Sequence, residues 1–277
     1  MLRGVTPLDR RGALRDRACT CLAERPLPAE LLVRRVFGFR RVEPHLAERL
    51  VGTLLNQDPG FERTDEGWWR LARFSLTGPP RPLSEIPFVV VDVETTGGYP
   101  VRDRIIEIAA VRVIGGRVVG EWSSLVDPGR SIPPFVARLT GIDDQTTARA
   151  PRFGEVADSF VEFLGGSAFV AHNAHFDWRF VNDELFWARG GRLTNARLCT
   201  IRLARRLLPG VRRRSLDALA YLLGVPVEGR HRALGDARAT ARILIRLIAT
   251  AEDRGIVTEE DLAALAGWSG TLRPVPL

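Results

Sequence analysis

The run Ile86–Val93, "IPFVVVDV", narrows most what this chain can become. It is nearly all apolar and β-branched, which is how a strand covered on both faces reads. Asp92 and Glu94 sit at its end, one residue apart, and on a strand residues i and i+2 point to the same side. Two carboxylates side by side at the edge of a core repel each other and lose hydration. Something positive has to stand beside them.

The surrounding pattern extends that strand into a layered α/β domain. Ile105–Ile114 and Arg117–Val126 read as a hairpin joined at Gly115-Gly116, a pair suited to positive φ. Phe153–Leu164 is an amphipathic helix, Ala168–Ala171 a short buried strand, and Phe176–Arg189 a helix stopped by Gly190-Gly191. Helices over Leu198–Leu208, Ser215–Leu223 and Ala233–Asp253 follow, and Thr258–Ala266 closes the series with Thr258 as N-cap and Asp261 three residues on. A hairpin-led sheet feeding βα units is an α/β layer architecture.

The stretch Ser75–Pro87 holds four prolines and a glycine and breaks the pattern, so a smaller module precedes it. That module reads as three helices and a hairpin. The third helix opens at Glu43-Pro44 and carries Leu46, Leu50 and Leu54 at helical spacing. The hairpin covers Phe61–Ala72, with Asp65-Glu66-Gly67 at its turn. Three helices and a hairpin resemble a winged helix, a variant of the helix-turn-helix used on DNA. Residues 1–78 hold 14 Arg against 10 acidic residues, a surplus too small to decide between DNA contact and protein contact.

The chain has 277 residues and a formal net charge of +7, and all 40 of its basic residues are arginine. That charge is compatible with a nucleic-acid partner without establishing one. No apolar run approaches a membrane span, and the first residues lack a signal-peptide core, so a cytoplasmic protein with no membrane partner is expected. Cys19, Cys21 and Cys199 form no disulfide framework; Cys19 and Cys21 read as helix-packing thiols, not as half of a zinc site.

Further carboxylates stand where elements begin. Asp177 in "AHNAHFD" starts a helix just after a strand, and Asp236 in "HRALGDA" lies one turn into a long helix, five residues beyond His231. Four oxygen-donor residues around one pocket suit hard divalent cations, and two such ions can clamp a phosphodiester. The cations would also relieve the repulsion between Asp92 and Glu94.

"VDVETTG", "HNAHFD" and "HRALGDA", in that order, resemble the three motifs of the DEDDh 3′→5′ exonucleases, the group of the proofreading ε subunit of bacterial replicative polymerases. The resemblance covers about residues 87–255 and implies a ribonuclease H-like fold, a mixed β-sheet flanked by helices. With the module and proline-rich break read from the residue pattern before it, the expected organisation is a winged-helix-like module over 1–78, a proline-rich linker over 79–87, the exonuclease domain over 88–255, and a terminal helix and tail over 256–277.

The resemblance also implies that Asp92, Glu94, Asp177 and Asp236 bind two divalent ions, Mg²⁺ or Mn²⁺, with Asp92 bridging both and His231 as general base. An unperturbed imidazole suits proton transfer near neutrality. Its spacing puts His231 off the face of Asp236, on the approaching loop. Thr95, Thr96, Gly97 and Asn173 are candidates for contact with the terminal nucleotide, and Thr140 and Ile142 in "LTGID" resemble the segment that touches its base and sugar. Phe176 either wedges against a base or packs in the core. The expected activity is removal of nucleoside monophosphates from single-stranded or frayed DNA 3′ ends in proofreading or repair, with a polymerase or repair protein as possible partner. Trimming of RNA ends is the alternative, and a non-catalytic DNA-binding scaffold a more distant one.

Overall fold

The computed structural model describes residues 14, 17–18, 21–22, 25–56, 61–71 and 80–266. The chain divides into two compact units, Met1–Pro79 and Pro80–Leu277.

In the first unit α1 (Ala29–Leu32) runs into a π-helical turn, Val33–Phe37, which ends at Gly38 with φ 80°. Helix α2 (Pro44–Leu55) turns Ala47, Val51, Leu54 and Leu55 inward. Leu46, expected on that inner face, is instead 48% exposed, because the buried stripe runs one position further along the helix. Strands β1 (Phe61–Arg63) and β2 (Trp69–Leu71) pair antiparallel around Gly67, which takes the positive φ that the turn needs. Trp69 is buried with the Arg63 guanidinium 4.7 Å above its ring. The expected first helix falls largely outside the described residues, as does Cys19. Cys21 is a half-buried free thiol.

The second unit is built on a five-stranded sheet of order β5-β4-β3-β6-β7. Strands β3 (Phe88–Thr95), β4 (Ile105–Ile114) and β5 (Arg117–Leu125) are antiparallel. Strands β6 (Ala168–Ala171) and β7 (Arg197–Cys199) add in parallel beyond β3. The hairpin turn at Gly115 and Gly116 has positive φ at both positions, as its sequence requires.

Before β6 come α3 (Pro134–Thr140), α4 (Asp144–Thr147) and α5 (Phe153–Leu164). Helix α6 (Ala174–Arg189) packs with α5 on one face of the sheet. The other face is covered by α7 (Thr200–Leu207), α8 (Leu216–Leu222), α9 (Ala233–Glu252) and α10 (Glu259–Ala266). Coverage on both faces explains the uninterrupted apolar run in β3: Val89 and Val91 enter one core, Phe88 and Val90 the other. Each such side chain contributes roughly 1.5–3 kcal/mol by leaving water. Among the described residues no helix is long and apolar enough to cross a membrane.

Two boundaries differ from expectation. Leu198 and Cys199 belong to β7, not to a helix, and α7 starts at Thr200. A short apolar run next to a helix carries no periodicity of its own, so strand and helix read alike there. The described part of the proline-rich segment, residues 80–87, is also not a free linker. Leu83 and Ile86 are buried in the second core, the Leu83 N–H donates to the Val257 carbonyl at 2.9 Å, and Arg81 pairs with Glu259 at 2.7 Å. Two apolar side chains among the prolines are enough to fasten the segment beside α10.

Candidate active site

Strand β3 pairs with β6 only as far as Val90, so its last residues have one free edge. Asp92 and Glu94 continue the side that Phe88 and Val90 turn toward α9. Across β4, Glu94 stands opposite Glu107. Glu107 is buried and fixes the start of α9: it accepts the Ala233 N–H at 2.8 Å and the Arg232 guanidinium at 2.6 Å. A carboxylate at a helix N-terminus satisfies orphan N–H groups and the helix dipole together. The first turn of α9 is thereby anchored beside Glu94.

Asp236 lies in that first turn. Its Oδ2 accepts the His231 N–H at 3.3 Å and an N–H of Arg230, and Arg230 also donates to Asp217 at 2.7 Å. Its Oδ1 is buried without a hydrogen-bond partner. His231 stands on the loop before α9 at φ 58°, and ligand atoms of Glu94, His231 and Asp236 all lie within 4.8 Å of one another. From the other face, the chain leaves β6, turns at Asn173 with φ 70°, and enters α6. That brings Asp177 to the free edge of β3, where its Oδ1 accepts the Val93 N–H at 3.3 Å. His231 and Asn173 are the two non-glycine residues with positive φ among those described, and both types tolerate that region better than most.

The electrostatics follow from this crowding. Burial, reinforced by Asp177, Asp236 and Glu94, pushes Asp92 well above the carboxylate range. Burial and then Asp236 and Glu107 push Glu94 up to about 7. Asp177 is pushed up to about 8 by burial, against the pull of backbone N–H donors, and burial raises Asp236 although Arg230 opposes it. Arg230 does not supply enough positive charge for four carboxylates. The unpartnered Oδ1, the oxygen-rich donor set and the elevated carboxyls all fit a hard divalent cation.

Asp92, Glu94, Asp177, Asp236 and His231 are therefore brought into one cluster. The softer candidates divide. Thr95 and Thr96 are buried, with the Thr95 hydroxyl donating to the Gly97 carbonyl at 2.6 Å and the Thr96 hydroxyl accepting the Arg104 N–H at 3.0 Å. Thr140 and Ile142 are buried as well, the Thr140 hydroxyl bridging Val136 and Ile142 at 2.9 and 3.1 Å. The three threonine hydroxyls bond nearby backbone, the Ile142 side chain packs with Ile106, Ile132 and Val136, and none of the four is exposed. Asn173 is exposed, and Phe176 is half-buried with its ring 4.8 Å from that of Phe180. His172 is held between Thr200 and the Arg214 carbonyl at 2.9 and 3.0 Å, in keeping with a structural histidine.

Four contributors escape a sequence reading: Glu107, Arg230, Asp217 and Gly235. Glu107 leaves the clearest trace, as the one charge in the apolar run Ile105–Val111. Gly235 has no room for a Cβ, because the carbonyl oxygens of Glu228 and Gly229 press against it.

A mixed five-stranded sheet with helices on both faces and carboxylates at the end of its central strand is the ribonuclease H-like architecture. Among solved structures it is shared with Escherichia coli Exonuclease I bound to a dT13 oligonucleotide, at a TM-score of 0.53 and 19% identity over 62% of this chain and 43% of that one. A closer likeness in sequence is Exonuclease X in complex with 5′ overhanging duplex DNA, with a TM-score of 0.51 and 31% identity over 64% of this chain and 99% of that chain. The DNA polymerase III subunit epsilon of Aquifex aeolicus is 40% identical over 161 residues, 58% of this chain and 80% of that protein. A Mycobacterium tuberculosis protein named as a bifunctional exonuclease/endonuclease is 45% identical over 194 residues, which are 65% of this chain and 29% of that one. A family model described as "Exonuclease" matches residues 89–244, and the chain belongs to that family.

Proposed function

We propose that the protein is a metal-dependent 3′→5′ exonuclease that releases nucleoside monophosphates from single-stranded or frayed DNA 3′ ends, in proofreading or repair. The convergence of Asp92, Glu94, Asp177 and Asp236 beside His231 carries this reading. The epsilon subunit among its relatives and the DNA in the Exonuclease X complex support DNA as the substrate. A polymerase or repair assembly is the partner this implies, and the cytoplasm the compartment.

Asp92, Glu94, Asp177 and Asp236 would hold two divalent ions, Mg²⁺ or Mn²⁺, through carboxylate oxygens, with Asp92 central because it feels the other three charges. When bound, such ions supply an acidified water and a clamp on the attacking and leaving oxygens of the phosphodiester. His231 accepts the proton of the attacking water from its loop position, at the edge of the trio with Glu94 and Asp236. Arg230 keeps Asp236 oriented by occupying one of its oxygens and leaving the other, buried one without a hydrogen-bond partner.

The test is degradation of 5′-labelled DNA and RNA oligonucleotides with Mg²⁺, Mn²⁺ or EDTA. A descending ladder on DNA that EDTA abolishes is expected. A ladder on RNA alone would transfer the activity to RNA ends, and internal cuts or metal-independent cleavage would contradict the mechanism. His231→Ala should lower turnover by at least 100-fold with metal affinity kept, whereas Asp92→Ala should lose both. Equal loss of metal affinity in the two variants would contradict this division of roles.

A further inference from the structure

The first unit carries an arginine-aromatic segment that the nuclease chemistry does not use. Residues 34–41 read Arg-Arg-Val-Phe-Gly-Phe-Arg-Arg, four positive charges with no acidic residue between them. Arg34, Arg35, Phe39, Arg40 and Arg41 are all exposed, and Phe39 shows 50% of its surface. Gly38, at φ 80°, turns the chain so that the rings of Phe37 and Phe39 lie nearly parallel, 6.4 Å apart with 18° between their planes. Among the described residues, Arg34, Arg40 and Arg41 have no carboxylate partner within ion-pair distance. Val36 is buried and Phe37 packs half-buried against the same core, so these two side chains pin the segment while Phe39 and the four arginines are exposed.

A winged helix would be expected to read DNA with its third helix, here α2. That helix is poorly suited to the task. It exposes His45, Leu46 and Arg49, and its Glu48 is already paired with Arg63. Positive charge and accessible aromatic surface coincide in the segment before it instead. Guanidinium groups take phosphates, and a ring with a free face stacks on a base, which is available only when the base is not inside a duplex.

We propose that Arg34–Arg41 is a binding surface for single-stranded nucleic acid, with Arg40 and Arg41 on phosphates and Phe39 stacked on a base. This surface belongs to the first unit, and its binding does not depend on the activity proposed for the carboxylate cluster.

The test uses the full chain in EDTA, which removes catalysis, and anisotropy of fluorescein-labelled 20-mers of oligo(dT) and oligo(rU) at several salt concentrations. The Arg40→Ala/Arg41→Ala variant should raise Kd about 5–10-fold and lower the slope of log K against log salt by about 1.4, the value for two phosphate contacts on a single strand. Phe39→Ala should raise Kd about 5-fold or more with the slope unchanged. Loss on either polymer supports the proposal and shows which sugar is accepted. Turnover of a dinucleotide with Mn²⁺ should be unchanged in both variants. Unchanged affinity and slope would overturn the proposal, as would an equal loss of dinucleotide turnover. An equal arginine effect on a blunt duplex with Phe39→Ala silent would overturn it in favour of backbone contact to double-stranded DNA.

Discussion

Asp92 and Glu94 illustrate how a site can work against its own fold. Both carboxyls are raised because burial and their neighbours disfavour the charged form. A carboxyl whose pKa is higher in the folded protein than in the unfolded chain holds its proton more tightly when folded. The stability present below about pH 4 is therefore lost as pH rises through the folded value. For Glu94 and Asp177 those values are about 7 and about 8. His172, pushed down to about 4 by burial, acts in the opposite sense, but above its ordinary value of 6.5 it is neutral in both states. Between about pH 6.5 and 8.5 the metal-free protein should accordingly lose about 3–6 °C of Tm, and saturating Mg²⁺ should remove that fall. A flat profile in EDTA would contradict the clustering. By the same reasoning Asp92→Asn should raise Tm in EDTA at pH 8 by about 2–4 °C while abolishing the rise produced by Mn²⁺.

At the scale of elements, the start of α9 is the piece on which the site's geometry depends. Glu107 caps it, Arg232 returns to Glu107, and the loop over Gly229 lies directly against Gly235. Gly235→Ala would drive a methyl group into the Glu228 and Gly229 carbonyls, so the loop bearing Arg230 and His231 must move. About 1–3 kcal/mol of stability should be lost, and turnover should fall at least tenfold with DNA affinity largely kept. Normal turnover in that variant would show that the loop does not need this contact. Much of this scale is legible in the sequence: the β3 run, the Gly115-Gly116 hairpin and the Asp177 helix start each have a local cause. The cap is not, because Glu107 and Arg232 are 125 positions apart and no local pattern connects them. Strand β7 is illegible for another reason: three residues are too few to display a period.

Across the whole molecule, the order of the sheet and the meeting of β3, α6 and α9 do not follow from spacing. Resemblance to the exonuclease motifs implies the convergence, whereas the residues taken singly yield only the carboxylates and not their meeting point. The proline-rich segment likewise reads as a linker, because proline density masks the two buried side chains, Leu83 and Ile86, that fasten it. The consequence is testable: a chain lacking residues 1–78 should fold and keep its metal binding, whereas one lacking residues 1–87 should lose roughly 3–5 kcal/mol through Leu83 and Ile86. Equal stability of the two truncations would contradict the packing of that segment. The most direct measurement of all is the anomalous scattering of Mn²⁺ in crystals of the protein. Density within about 2.5 Å of carboxylate oxygens of Asp92, Glu94 and Asp236 is predicted. Saturating Mn²⁺ that leaves this pocket empty, or that binds with Asp92 and Asp236 too far apart to share an ion, would contradict the central claim.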